Sequence, residues 1–367
     1  MSTAPIAFFL PSLRGGGAER VMLNLAQGIA ERGLPVDLVL VAAEGAFLKE
    51  LPSGIRVVDL HSRRVIRSLA PLTRYLRTEH PRALVSSMSH ANVVALWAAK
   101  LAGRSTPVVA TVHNTMSVST PKQGRVAGGL WPHALRIFYP WAARVVAVSR
   151  GAADDFARSS GFPRDRVDVV YNPVIMPDTV ARAREVPDHP WFAPGQPPVI
   201  LGVGRLTPQK DFPTLVRAFA QVRRRRAARL VILGEGEGRA ELAALAGELG
   251  VAEDLALPGF QKNALSYMAH SAVFALSSAW EGLPTVLIEA LAAGTRVVST
   301  DCPSGPREIL QDGQLGALVP VGDAAALAAA ILETLERPAN GVSPDALRSF
   351  TRDAAVDHYL HLIENAQ

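Results

Sequence analysis

The chain has 367 residues, 49% of them apolar and 19% charged, enough apolar material for two cores and too much for extended disorder. The net charge of +5 hides an asymmetry: residues 1–175 carry 21 Lys and Arg against 11 Asp and Glu, the remainder 17 against 22. Such a split points the N-terminal half toward an acidic partner, a membrane surface or a polyanion.

Cys302 is the only cysteine, which excludes an intrachain disulfide and a cysteine-based zinc site and favours a reducing compartment. The longest uncharged run, Asn263 to Trp280, contains Asn, His, Tyr and four Ser and does not read as a membrane span. Nor does the N-terminus carry a basic leader, and its apolar run is too short for a secretory signal. A cytoplasmic location is expected, peripheral on the inner face of the cell membrane if the basic half meets lipid.

In chain order, Ile6–Leu10, Val36–Val41, Ala83–Ser86, Val108–His113 and Arg144–Ser149 read as buried parallel strands. Helical patterns over Ala18–Arg32, Asn92–Ala102 and Gly151–Ser159 alternate with them, a βαβ series. Seven prolines between residues 173 and 198 then break the pattern as linker composition does. A second series follows, with strands at Val199–Val203, Leu230–Leu233, Leu255–Leu257, Val273–Leu276, Arg296–Ser299 and Ala317–Val319. Its helices fall near Asp211–Arg226, Arg239–Leu249, Pro284–Ala293 and Ala324–Leu335, and Pro344 to Asn365 reads as one or two closing helices. The expected division is therefore a Rossmann-like domain over 1–175, a linker over 176–198, a second Rossmann-like domain over 199–340, and closing helices over 341–367 that pack back on the first domain. Ligands of open α/β sheets bind outside the strand C-termini, so a cleft between the domains is the expected site.

Residues 277–289 carry the most chemical information. A strand ends in small residues, a turn follows at Gly282, and a helix opens with Pro284 at its first position. The N–H groups of that turn (Gly282, Leu283, Thr285 and their neighbours) and the helix dipole suit a phosphate or diphosphate. Glu281 lies in the turn. Glu289 is the only charge on an otherwise nearly apolar helix, costly there unless paired or hydrogen-bonded, for example by ligand hydroxyls. In the loop Gly202–Phe212, Gly204 permits close backbone approach, while Arg205 and Lys210 offer two cations to an oxyanion; the alternative is two surface cations flanking a helix start. Gly15, Gly16 and Gly17 make a phosphate or sugar loop without the third glycine of a dinucleotide fingerprint, and no P-loop sequence occurs. Gly234 follows another strand, suited to a nucleotide base or to a plain turn. His113 and Asn114 close the Val108–Val112 run, with a structural histidine as the alternative. No Asp-x-Asp pair and no ligand spacing among the histidines suggests a metal site.

Taken in order, these segments resemble the family 4 retaining glycosyltransferases, whose GT-B fold sets two Rossmann-like α/β domains face to face across a cleft. The resemblance rests on Glu281 and Glu289 (E-x7-E), Arg205 and Lys210 (G-R-L-x-x-x-K), the Gly15–Arg20 turn and the Val-Ile-Leu-Gly-Glu-Gly strand end. It rests also on Pro258-Gly259-Phe260 and on Ala147-Val148-Ser149 before Tyr171-Asn172-Pro173, and it covers about residues 5–335. It implies that Arg205 and Lys210, with the amides of Gly282 to Val286, neutralise a donor diphosphate. Glu289 would hold ribose hydroxyls, Glu281 the transferred sugar, and His113 would face the donor sugar. Gly16 and Gly17 would let donor and acceptor approach, and Gly234 with the backbone at Phe260 to Lys262 would pack the base. The implied activity is retaining, metal-independent transfer from a nucleoside-diphosphate sugar to a hydroxyl of a glycan or lipid-linked acceptor, with no cofactor and no nucleic-acid partner. The donor leaning is UDP-hexose or UDP-N-acetylhexosamine, since Asp301–Glu308 departs from the common Gly-Gly-x-x-Glu loop and resembles the subset that builds bacterial surface and lipid-linked glycans. Asn172-Pro173-Val174 departs from a frequent Asn-Gly-Val.

Other readings are a nucleotide-sugar epimerase or another GT-B enzyme, a non-catalytic sugar-nucleotide-binding subunit, and an NAD-dependent oxidoreductase, which lacks its fingerprint here. For the membrane, Arg63, Arg67, Arg74 and Arg77 are expected broadly on one side of a helix interrupted near Pro71, and with Arg64 they make a composition suited to an anionic leaflet.

Overall fold

The computed structural model describes residues 4–52, 54–103, 106–113, 135–338 and 341–366. The chain forms two compact units, one of residues 1–173 and 349–367 and one of residues 174–348.

In the first unit, strands β1 (Ile6–Leu10), β2 (Val36–Leu40), β3 (Ile55–Asp59), β4 (Ala83–Ser87), β5 (Val108–Val112), β6 (Arg144–Ala147) and β7 (Val167–Val169) pair in parallel, ordered 3-2-1-4-5-6-7. The helices α1 (Gly17–Glu31), α2 (Leu69–Glu79), α3 (Ser89–Ala102) and α4 (Arg150–Ser160) connect them. Every residue of β1 is buried, as a central strand of a covered parallel sheet must be. In the second unit, β8 (Val199–Val203), β9 (Arg229–Leu233), β10 (Leu255–Gly259), β11 (Val273–Leu276), β12 (Val297–Thr300) and β13 (Ala317–Val319) are ordered 10-9-8-11-12-13, again all parallel. Its longer helices are α5 (Phe212–Arg223), α6 (Arg239–Glu248), α7 (Thr285–Ala292) and α8 (Ala324–Glu336). Both orders reverse next to the unit's first strand, the switch point where open α/β sheets take ligands.

Three features depart from the sequence reading. Strands β3 and β7 were not expected: both are sheet edges, covered on fewer sides, so Arg56, Asp59 and Asp168 interrupt the apolar runs that mark central strands. Arg56 instead answers a buried charge, because Asp37 on β2 lies opposite it in register and accepts from its Nε at 2.8 Å and from the Tyr75 hydroxyl at 2.5 Å. Pro71 does not interrupt a helix: a 3-10 turn over Val65–Ser68 leads into α2, and Pro71 sits in the first turn of α2, where its missing N–H costs nothing. Short helices at Thr179–Ala183, Ala264–Ala269 and Pro306–Ile309 are too brief to show a periodicity.

The C-terminal helix α9 (Arg352–Glu364) packs on α1. Val356, Tyr359, Leu362 and Ile363 enter the core of the first unit. The largely buried Arg352 side chain pairs with Glu31, Arg32 pairs with Asp357, and Arg82 reaches Glu364 at 3.5 Å. Close approach depends on Gly28, where an added Cβ would stand 2.6 Å from Val356 Cγ2. We expect Gly28→Val to destabilise the first unit by about 1–3 kcal/mol, the usual cost of overpacking. An unfolding midpoint equal to the parent's in urea would refute this packing.

Candidate functional site

Strand ends meet loops in the second unit. After β8, the chain turns through Gly204 and Arg205 to Lys210, and Asp211 caps α5 by accepting from Thr214. After β11 it turns through Ser277–Pro284 into α7, with Pro284 at the N-cap, one position earlier than expected. These two loops are tied together. Ala279 N–H donates to Gln209 O at 2.9 Å, Ser277 Oγ to Lys210 O at 2.8 Å, and Gln209 Nε2 to Trp280 O at 3.1 Å. At the centre, Lys210 Nζ stands 2.6 Å from Glu281 Oε1, and the Ser278 hydroxyl donates to the same oxygen at 2.6 Å. Glu281 is only 6% exposed, so this set of donors is what keeps a carboxylate there. Lys210 is thus engaged by protein, whereas Arg205 is exposed and makes no ion pair among the described residues.

Two glycines are required by contact. Gly234, at φ 131°, would place a Cβ 2.0 Å from Gly204 O, and its own N–H donates to Gly259 O at 2.9 Å. At Gly305, φ 99°, a Cβ would fall 2.4 Å from Pro284 Cδ, while the Ser304 hydroxyl donates to Gly282 O at 2.7 Å. Residues 304–305, in the loop after β12, therefore lie against the turn that opens α7. Leu283 is buried there, Gly282 and Thr285 are half-buried, and Phe260, just beyond β10, is 78% exposed. Cys302 is buried in the same loop. Desolvation pushes its thiol up to about 12, with the nearby Glu281 charge adding to the rise.

Glu289 lies on α7, and its side chain has no hydrogen-bond partner among the described residues. Burial raises its carboxyl above the ordinary value, opposed by the charge of Arg182. A recess of about 440 Å³ beside the β8 loop is lined by Asp211, Glu237 and Glu241 among others. It includes none of Lys210, Glu281 and Glu289, and its carboxylates are wrong for a phosphate.

In the first unit, Gly16 is the N-cap of α1 and Gly17 its first residue. Glu19, 5% exposed, folds back so that Oε2 accepts from Gly15 N–H at 2.8 Å and Gly16 N–H at 2.9 Å, while Oε1 accepts from Ser12 at 3.2 Å. Two of the loop amides expected to meet a phosphate or sugar, those of Gly15 and Gly16, are thus bonded to a carboxylate of the chain itself. The signal was present in the sequence: a Glu three residues after the N-cap is half of a capping box. Ser278 and Gln209 carried no signal: both are ordinary polar residues, and Gln209 is 72 residues from Glu281 in the chain.

His113 directly follows β5, its Nε2 3.1 Å from Thr111 Oγ1. Burial pushes its pKa down to about 4. Asn114 lies outside the described residues. Of the basic stretch, Arg56 is paired with Asp37 and Glu79, and Arg77 donates to the carbonyls of Leu101 and Ala102 at the end of α3. Arg63, Arg64, Arg67 and Arg74 are exposed. Among the described residues no helix is long and apolar enough to cross a membrane.

The His113 shift has a pH consequence. Its pKa is about 4 in the folded chain against 6.5 unperturbed, so between these values the unfolded state binds more protons and stability falls as pH falls. We expect the unfolding midpoint of His113→Gln to decline less than the parent's from pH 6.5 to 4; parallel declines would contradict the burial of this ring.

The family described as glycosyl transferases group 1 matches residues 185–353, and glycosyltransferase family 4 matches residues 15–176. The chain is 30% identical over 336 residues, 86% of each chain, to an N-acetylgalactosamine-N,N'-diacetylbacillosaminyl-diphospho-undecaprenol 4-alpha-N-acetylgalactosaminyltransferase of Campylobacter jejuni. It is 27% identical to LpsE, a lipopolysaccharide core biosynthesis glycosyltransferase of Rhizobium meliloti, over 95% of this chain and 96% of that one. Among solved structures, Anabaena HepE in complex with UDP and glucose superposes with a TM-score of 0.80 at 21% identity, covering 98% and 99% of the two chains. A glycosyltransferase of Rickettsia africae gives 0.82 at 17% identity, covering 99% and 98%. These matches do not favour the epimerase, regulatory or oxidoreductase readings. The two family matches account for nearly the whole length, and with the Campylobacter relative they place the chain among the family 4 glycosyltransferases, enzymes of the GT-B fold.

Proposed function

We propose that the chain transfers a sugar, with retention and without a metal, from a nucleoside-diphosphate sugar to a hydroxyl of a glycan or lipid-linked acceptor. The observation that carries the reading is the 2.6 Å contact between Lys210 and Glu281, which brings the lysine loop and the E-x7-E turn into one site. Lys210 and Arg205, with the first-turn amides of α7, would take up charge on the leaving diphosphate, amides that have no intrahelical acceptor. Glu289, half-buried and with no side-chain hydrogen-bond partner among the described residues, suits a pair of ribose hydroxyls. Glu281 would present its remaining acceptor capacity to the sugar while fixing the lysine.

Catalysis on this reading is electrostatic preorganisation. The anomeric carbon–oxygen bond breaks toward an oxocarbenium-like state as the diphosphate gains charge. The acceptor hydroxyl adds from the same face, and its proton passes to the departing phosphate. His113, neutral at physiological pH, would donate or accept a hydrogen bond near the donor sugar rather than carry charge. Gly16, its amide held by Glu19, and Gly17 would let donor and acceptor approach. Gly234 and the exposed Phe260 would flank the base.

A UDP-hexose or UDP-N-acetylhexosamine donor is supported by the UDP in the HepE complex and by the N-acetylgalactosaminyl transfer named for the Campylobacter relative. That relative's name also supports a lipid-linked acceptor. Approach to such an acceptor would place the protein at the inner face of the cell membrane, where Arg63, Arg64, Arg67 and Arg74 suit anionic lipid.

Lys210→Ala and Glu289→Ala are each expected to lower turnover at least tenfold, followed as nucleoside diphosphate release at a temperature where both variants are folded, Lys210→Ala melting earlier because it strands the buried Glu281 carboxylate. Near-normal transfer by either folded variant would overturn its assignment.

A further inference from the structure

Between Leu60 and Ala153 the sequence has thirteen Lys and Arg and a single acidic residue, Glu79, and that one is paired with Arg56. The positive charge of the first half is therefore concentrated in this stretch. Its surface is also unusually apolar. Helix α3 buries half of its residues but exposes Trp97, Lys100 and Leu101, which share one face at i, i+3 and i+4. Trp97 packs on Phe138 with ring centroids 5.9 Å apart, Phe138 meets Trp141 edge-on at 5.1 Å, and Lys100 lies 5.9 Å from the Trp141 ring centroid. Trp97 is 38% exposed, Leu101 46%, Ile137 58% and Trp141 42%. Arg77 reaches across from α2 to the Leu101 carbonyl, and Arg74 stands one turn earlier on α2. Trp97, Phe138, Trp141 and Lys100 are thus linked in one exposed cluster, with Leu101 beside Trp97 on the helix face, Ile137 next to Phe138 in the chain and Arg77 at its edge.

We propose that this face, built from the C-terminal end of α3 and residues 137–141, is the anchor by which the chain docks on an anionic phospholipid bilayer. Tryptophan partitions to the boundary between headgroup and acyl chain, and lysine and arginine beside it keep their charge in the headgroup layer. The occupant follows from charge: Arg82 and Arg144 pair with Glu364 and Asp168, but Arg74, Arg77 and Lys100 make no ion pair among the described residues, and an anionic leaflet offers them a uniform counter-charge. Apolar contact adds what the arginines on α2 lack, since charge alone is screened by salt. The proposal deepens the membrane part of the reading above and does not depend on the transfer chemistry.

The test is co-sedimentation of the full chain with vesicles of phosphatidylcholine alone or mixed with phosphatidylglycerol, free of any glycan. The parent chain is expected to pellet with the anionic vesicles and only weakly with the neutral ones. Leu101→Glu/Ile137→Glu is expected to lower the partition coefficient at least tenfold, while Val180→Glu, an exposed position in the other unit, leaves it unchanged. Nucleoside diphosphate release in free solution, retained by both variants, separates a failed anchor from a failed enzyme. The proposal is overturned if the parent stays in the supernatant. It is equally overturned if the double variant pellets like the parent, including the case in which only Arg63→Ser/Arg67→Ser/Arg74→Ser abolishes binding.

Discussion

A carboxylate that is 6% exposed survives as an ion only among donors, and the donors of Glu281 come from two loops. Lys210 reaches it from the loop after β8, and Ser278 from its own loop after β11. The cost of desolvating both charges is offset only while this geometry holds, so the pair fixes the two loops against each other. Everything on that end of the second sheet follows. The backbone contacts from Gln209 and Lys210 to residues 277–280 form beside it, and the start of α7 takes its direction from the turn that carries Glu281.

Neighbouring loops extend this framework through backbone alone. Gly204 N–H bonds to Leu233 O, Gly234 N–H to Gly259 O and Leu206 N–H to Glu235 O, a chain of bonds across the ends of β8, β9 and β10. Where the main chains come this close there is no room for a Cβ, which is why Gly234 is glycine. Such a floor holds cations at fixed positions with little reorganisation, the property that electrostatic stabilisation of a leaving group requires.

Much of the fold was legible in the sequence because central parallel strands are buried on both faces. Ile6–Leu10, Val199–Val203 and Val273–Leu276 stand out as apolar runs and are observed with the same bounds. The edge strands β3 and β7 were illegible for the same reason inverted: a strand covered on fewer sides tolerates Arg56 and Asp168. Of the candidate site, residue types were legible and partners were not. Spacing marked Lys210 and Glu281 separately, but no periodicity relates residues 71 apart in the chain, so their contact had to come from the folded structure. At Gly15–Gly17 the glycine-rich strand–helix turn suggested a phosphate or sugar, and the folded chain adds that Glu19 accepts from the Gly15 and Gly16 amides, a contact that the local capping pattern encodes.

That contact separates two junctions of the same kind. Each unit places a strand end, a turn and a helix start at its switch point, and each helix start is intrinsically attractive to an anion. In the first unit Glu19 takes the N–H groups of Gly15 and Gly16 and puts a buried carboxylate where a phosphate would sit. In the second, the turn before α7 has Lys210 within 2.6 Å of Glu281 and the exposed Arg205 in the adjoining loop. An internal carboxylate and an external diphosphate compete for the same kind of backbone site. The two junctions thus differ in what their helix starts meet: a carboxylate of the chain's own in the first unit, and in the second a lysine paired with Glu281 with an exposed arginine in the adjoining loop.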